Sequence, residues 1–158
     1  MSHPNDAPRV VPLQPTHAPA CEAIARALPD WFGLEDGLRQ LRADAERGPG
    51  WVAVVAGDVV AFLTLRRHFA ETWEITWLAV APARRRRGLG RRLIDTAAGQ
   101  CRAAGARLLL VETLADTVPS PAYAETRAFY RSVGFVPLVV LPEVWGPENP
   151  CLLLVRAL

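Results

Sequence analysis

Arg85-Arg86-Arg87-Gly88-Leu89-Gly90 decides how the rest of this chain reads. Before it, Trp73-Glu74-Ile75-Thr76-Trp77-Leu78-Ala79-Val80 has the aromatic and branched residues of a half-buried strand. Ala81-Pro82-Ala83 ends that strand, because Pro82 has no N–H to give to a sheet ladder. After the glycines, Leu93, Ile94, Ala97, Ala98 and Cys101 fall on one face of a helix. A loop with two glycines therefore joins a strand end to a helix start. The first amides of that helix have no partner within it, and the helix dipole adds partial positive charge. Glycine admits a ligand close to the backbone. Such a place suits a phosphate or pyrophosphate. The spacing is not that of the ATPase phosphate loop, since no Gly-Lys-Ser/Thr follows. Nor is it the dinucleotide fingerprint, whose third glycine falls where this chain has Leu93. The plain alternative is an exposed Arg-rich loop that opens a helix and binds nothing.

Outward from this stretch, the pattern predicts an α/β chain. Arg9 to Leu13 reads as an edge-type strand, and Thr16 as the cap of a helix with Cys21, Ile24, Ala25 and Leu28 on one face. Pro29-Asp30-Trp31-Phe32-Gly33 breaks that helix. A second helix turns Leu34, Leu38, Leu41 and Ala45 inward and ends near Gly48-Pro49-Gly50. Trp51 to Val55 and Val59 to Arg66 form a hairpin about Gly57-Asp58. Gly105 terminates the helix that follows the Arg-rich loop, and Leu108 to Val111 reads as a strand buried on both faces. The strands flanking that helix should run parallel. Ser120 and Pro121 read as the cap and first position of a last helix, which carries Ala122, Thr126, Phe129, Tyr130 and Val133 on one face and stops at Gly134. Phe135 to Leu141 and Cys151 to Val155 complete the strands, with Pro142 to Pro150 as a long turn. The total is a mixed sheet of about seven strands with about four helices, in one domain over residues 1–158 whose first eight residues fray.

Composition narrows the class. The chain has 158 residues, of which 51% are apolar, enough for a sizeable core. Its net charge is only +2, and every basic side chain is Arg, so it has no lysine of its own to be acetylated. The run Arg84 to Arg87, with Arg91 and Arg92, has no interleaved aromatics, which argues against nucleic acid. Cys21, Cys101 and Cys151 are scattered and odd in number, with no metal spacing and no disulfide framework. Reduced thiols, no leader-like start and no long apolar run suggest a soluble cytoplasmic protein, with no membrane partner.

Arg85-x-x-Gly88-x-Gly90, after a strand and opening a helix, resembles the acetyl-CoA-binding motif of the GNAT superfamily of N-acetyltransferases. A second block, Ala128-Phe129-Tyr130-Arg131-Ser132-Val133-Gly134-Phe135, is similar to that family's later helix-to-strand segment. Two blocks at the right interval are more specific than either alone, and the likeness runs from about Arg9 to the C-terminus. The resemblance implies the GNAT fold, whose two central parallel strands splay apart to admit the pantetheine arm of acetyl-CoA. It implies that Leu78, Ala79 and Val80 meet that arm, and that Arg85, Arg86, Arg87, Gly88, Leu89, Gly90 and Arg91 hold the pyrophosphate. No metal is implied. The family often has Asn seven residues and Ala four residues before the Tyr of the second block, where this chain has Tyr123 and Thr126.

Acetyl transfer to an amine by direct attack needs a proton acceptor and a donor for the leaving thiolate. No covalent enzyme intermediate is required, so the cysteines read as bystanders. The resemblance implies that Tyr130 is the acid. It also implies that Glu74 is the base, because histone-type members carry a catalytic glutamate on this strand fourteen positions before the first loop glycine. Alternation puts Glu74, Thr76, Leu78 and Val80 on one face and Ile75 and Trp77 on the other. Glu74 could take the proton directly or through one water, or it could only orient a cationic substrate. His17 and His68 read as isolated.

For the acceptor, the family's geometry nominates Trp31, Phe32, Glu74 and Trp145, with Glu35, Asp36 and Glu143 nearby; Glu112, at the end of the second central strand, either borders the cleft as a further acceptor residue or has a solvated or structural role. Aromatic and acidic groups suit an amine-bearing small molecule. They also suit a peptide N-terminus or a lysine side chain. A non-catalytic acyl-CoA-binding sensor on the same fold is the reading from another class, and a homodimer is compatible with each of these.

Overall fold

The computed structural model describes residues 7–158, so the fraying expected of residues 1–8 concerns mostly positions outside the described residues. Among those described, the order is β1 (Arg9–Pro12), α1 (Ala18–Arg26), α2 (Glu35–Arg47), β2 (Gly50–Val55), β3 (Asp58–Arg67), β4 (Thr72–Val80), α3 (Leu89–Ala103), β5 (Leu108–Leu114), α4 (Pro121–Ser132), β6 (Val136–Leu141) and β7 (Cys151–Ala157). The strands make one mixed sheet in the order β1-β2-β3-β4-β5-β7-β6. This is the seven-stranded, four-helix arrangement that the sequence predicts. The chain divides into two compact units, Met1–Arg66 with Trp77–Ala98, and Arg67–Thr76 with Gly99–Leu158.

In the first unit β1 is an edge strand, antiparallel to β2, and β2 is antiparallel to β3. The hairpin closes on Val55 opposite Asp58, so its turn is Ala56-Gly57 and not Gly57-Asp58. Both turn residues have positive φ, 50° and 90°, which matches the twist of the strands they join. Thr16 is not a cap either. It lies within a single 3-10 turn, Pro15–His17, where the Gln14 amide donates to His17 Nδ1 at 3.0 Å. Leu38, Leu41 and Ala45 of α2 are buried as expected. Leu34 is 77% exposed, because its extended backbone puts it ahead of the first helical turn and off the helix's apolar stripe. Cys21, Ile24, Ala25, Leu41, Val52 and Phe62 belong to the core that α1 and α2 form with the strands.

In the second unit β4 and β5 run parallel, with Thr72–Ile75 registered on Leu108–Val111. β7 pairs antiparallel with both β5 and β6. Leu109 and Val111 are buried but Leu108 is 40% exposed, so β5 is not covered on both faces at its start. β6 is the other edge strand, entirely apolar in sequence and largely exposed, with a bulge between Pro137 and Val139. Ser120 caps α4 by accepting from the Tyr123 amide at 3.3 Å, and Pro121 takes the first helical position. Both glycine terminators hold. Gly105 and Gly134 have φ of 92° and 94°, and each sits in the paired bond pattern that ends a helix on a left-handed residue. At α4 these bonds run from the Phe135 amide to the Tyr130 carbonyl (3.0 Å) and from the Gly134 amide to the Arg131 carbonyl (3.2 Å).

Gly50 does more than end a turn. A Cβ built there would lie 2.3 Å from the Leu63 carbonyl oxygen and 3.2 Å from the Thr64 Cα, both backbone atoms that cannot swing aside. Gly50→Ala is therefore expected to lower stability by about 2 kcal/mol or more, despite its small size. Urea unfolding followed by tryptophan fluorescence checks this, with Gly37→Ala in α2, where an added Cβ meets nothing within 4 Å, as the mild control.

Candidate active site

The nominated residues fall into both units. In the first, β4 leads through a 3-10 turn, Pro82–Arg84, into the Arg-rich loop and α3. Gly88 has φ of 75°, and its carbonyl accepts the first helical bond, from the Arg92 amide, at 3.0 Å. The amides of Leu89 and Gly90 therefore precede the first intrahelical bond of a helix fifteen residues long. That is an arrangement suited to an anion. Arg86 also has positive φ, 60°, in a region that an arginine seldom occupies. The Arg85 guanidinium lies 4.8 Å from the centre of the Trp31 ring, a cation–π contact that ties the loop to the segment after α1. Phe32 packs against Trp77 at 6.3 Å between ring centres, and Trp77 Nε1 donates to Asp44 Oδ2 at 2.7 Å. Leu78 and Val80 are half-buried and Ala79 is buried.

Two acidic residues nominated nearby already have partners. Glu35 accepts from Arg26 at 2.7 and 3.0 Å, a contact that holds its carboxyl below the usual range. Asp36 pairs with Arg39.

In the second unit Tyr130 is 6% exposed and sits between Phe129 and Phe135, with ring centres at 5.4 and 5.5 Å. The contact with Phe135 is edge-on, and it follows from how α4 ends. Gly134 turns the chain back so that Phe135, the second residue past the cap Val133, meets Tyr130 three places before that cap. Burial pushes the Tyr130 hydroxyl well above its ordinary value, and the neighbouring Tyr123, two helical turns back, adds to the effect. Tyr130 is therefore a protonated donor across the neutral range.

Glu74 is 8% exposed, and its Oε2 lies 2.5 Å from His68 Nε2. The sequence reading of His68 as isolated is thus corrected. The tight turn between β3 and β4 brings the imidazole back over the strand six residues later, and no spacing rule flags a contact of that kind. Glu112 and Cys151 are likewise brought together. The Cys151 thiol donates to the Glu112 carboxylate, and Glu74 is near enough to be felt by it. Burial first, then these two carboxylates, push Cys151 up to about 12. Trp145 is 40% exposed on the turn between β6 and β7, and among the described residues it makes no ring contact or hydrogen bond with another candidate. No group of three or more His, Cys, Asp or Glu side chains suited to a metal occurs among the described residues, and no helix of these is long and apolar enough to cross a membrane.

A sequence profile for the acetyltransferase (GNAT) domain matches residues 46–137, more than half the chain and inclusive of β4, the Arg-rich loop and Tyr130. The chain belongs to the GNAT acetyltransferase family. Solved structures agree on the fold. A GNAT-family protein from Desulfovibrio desulfuricans superposes with a TM-score of 0.84 at 21% identity, over 96% of this chain and 99% of that one. The ribosomal-protein-S18-alanine N-acetyltransferase of Escherichia coli gives 0.76 at 20% identity, over 96% and 94%. An aminoglycoside 6'-N-acetyltransferase complexed with coenzyme A gives 0.75 at 16%, over 94% and 96%.

The three cysteine thiols of the chain are all buried. Burial also pushes Cys21 up to about 12 and raises Cys101. A thiol that stays protonated is a poor nucleophile. At pH 8 the native protein is expected to show no thiol reactive toward a disulfide reagent, and all three on addition of denaturant. The same shifts set a sign for stability. Folded thiols keep protons that unfolded ones lose above about pH 9, so the folded state binds more protons there and stability falls as pH rises from about 9 towards 12.

Proposed function

We propose that this chain transfers an acetyl group from acetyl-CoA to a primary amine by direct attack in a ternary complex, with a small molecule as the acceptor. Residues 1–158 act as one catalytic domain in this reading, and the cytoplasm, which holds acetyl-CoA and keeps thiols reduced, is its place of work. Leu78, Ala79 and Val80 meet the pantetheine arm through the backbone of β4. The loop from Arg85 to Arg91 takes the pyrophosphate on its amides and guanidinium groups. When bound, acetyl-CoA supplies a thioester already reactive toward amines. Proton removal from the amine centres on Glu74, and Tyr130 returns a proton to the departing thiolate. Trp31, Phe32, Glu112 and Trp145 are the residues assigned to the acceptor.

The observation that carries this reading is Tyr130, a buried hydroxyl kept protonated and clamped between two rings at the position of the family's second motif. The buried, inert thiols support direct attack over an acyl-cysteine intermediate. Acceptor size is open to a second reading, since the structural relatives include enzymes named for an aminoglycoside and for a ribosomal protein. Two carboxylates, Glu74 and Glu112, around one buried thiol favour a compact cationic amine.

Free CoA released with a panel of small amines, N-terminal peptides and lysine peptides tests this. Release with small amines is expected; acetyl-CoA binding with no release from any amine would leave a sensor on the same fold. Within that assay, Gly90→Glu is expected to abolish acetyl-CoA binding by placing bulk and negative charge at the start of α3, and calorimetry reads the loss. Tyr130→Phe keeps the ring and removes the hydroxyl. It should bind acetyl-CoA like the parent while kcat drops roughly 10²–10⁴-fold, as stopped-flow release of CoA would show.

A further inference from the structure

Acetyl transfer to a protonated amine releases one proton to bulk water. The acceptor ammonium must lose a proton before its lone pair can form the C–N bond. The C–S bond then breaks with its electrons on sulfur, which takes the Tyr130 proton. The nitrogen's second proton replaces the one that Tyr130 gave. The first proton must leave the site, and Glu74 is poorly placed to deliver it, since only 10% of its side chain is exposed and Oε2 is engaged by His68.

We propose that His68 Nδ1 is the atom that takes the acceptor's proton, and that Glu74 acts through His68. This rests on the transferase reading above. A carboxylate only accepts hydrogen bonds, so the 2.5 Å contact requires the neutral ring to carry its proton on Nε2. Nδ1 then holds the lone pair, and among the described residues it has no hydrogen-bond partner. Protonating Nδ1 makes an imidazolium against Glu74 and turns their bond into a charge-assisted one, whereas protonating Glu74 removes the charge that the bond relies on. The His68 side chain is 35% exposed, so the proton has a way out to water.

The backbone holds the ring in place. The amides of His68 and Phe69 both donate to the Thr72 carbonyl, at 3.0 and 3.2 Å, and the Thr72 amide donates to Phe69 at 3.4 Å. The charged and titratable groups around the pair do not displace this role. Glu71 on the turn is exposed, and Arg67 points its Nε at the Phe69 carbonyl. From β5 and β7, Glu112 is bonded to the Cys151 thiol, which stays neutral. Glu112 adds negative charge on the side of Glu74.

The test compares parent, His68→Gln and His68→Ala on any amine that the parent turns over. Glutamine keeps an N–H donor for Glu74 but has no basic nitrogen. His68→Gln should bind acetyl-CoA normally, lose roughly 10²–10⁴-fold in kcat and lose the acidic limb of its pH–rate profile. His68→Ala should regain rate on adding imidazole to the buffer, in proportion to the unprotonated form. A His68→Gln enzyme that keeps parental kcat and acidic limb, or that changes only in KM, would overturn the assignment while leaving the transferase reading intact. A parent that releases no CoA with any amine would overturn both.

Discussion

Parallel strands cannot be joined by a hairpin, and that constraint shapes this molecule. β4 and β5 run in the same direction, so the chain leaving β4 must travel back before β5 can begin, and α3 is the return path. The requirement puts a strand's C-terminal end next to a helix's N-terminal end with only a short loop to connect them. Unpaired amides, a helix dipole and two glycines are then gathered at one place by connectivity alone. The Arg-rich stretch is basic by its side chains, but the anion-seeking character of its backbone is a consequence of strand direction.

That is also why this part was legible in the sequence. Pro82, Gly88 and the apolar stripe from Leu93 to Cys101 are local signals with local causes, and so are Ser120, Pro121, Gly105 and Gly134. What was misread depended on neighbours in space or on a single dihedral. The hairpin turn fell one residue early because Ala56 takes a left-handed conformation usually left to glycine or asparagine. Thr16 lost its capping role to a 3-10 turn closed by Gln14 and His17. Gly50 reads in sequence as one more turn glycine, whereas in the fold the Leu63 carbonyl lies where a side chain would go. His68 is the largest omission. Its partner is six residues away on an adjoining strand, and neither helical nor strand periodicity pairs such positions.

Glu74, Glu112 and Cys151 show how neighbouring groups on one sheet divide their work. Glu74 lies beside Leu110 in the parallel register, Glu112 is two residues further along β5 on the same face, and Cys151 stands opposite Leu114 on β7. Burial next to negative charge is hostile to a thiolate, so the sulfur is reduced to a hydrogen-bond donor. The same surroundings welcome positive charge. One local environment therefore keeps the thiol protonated and leaves the face hospitable to a cation.

Arg86 puts a demand on the fold itself. A non-glycine residue at φ of 60° holds a conformation that its own side chain disfavours. The surrounding chain has to impose that shape, and the stacking of Arg85 on the Trp31 ring is one of the contacts that fix the loop's path. The bend is thus held from outside: its course is set by what it packs against and not by the preference of its own residues.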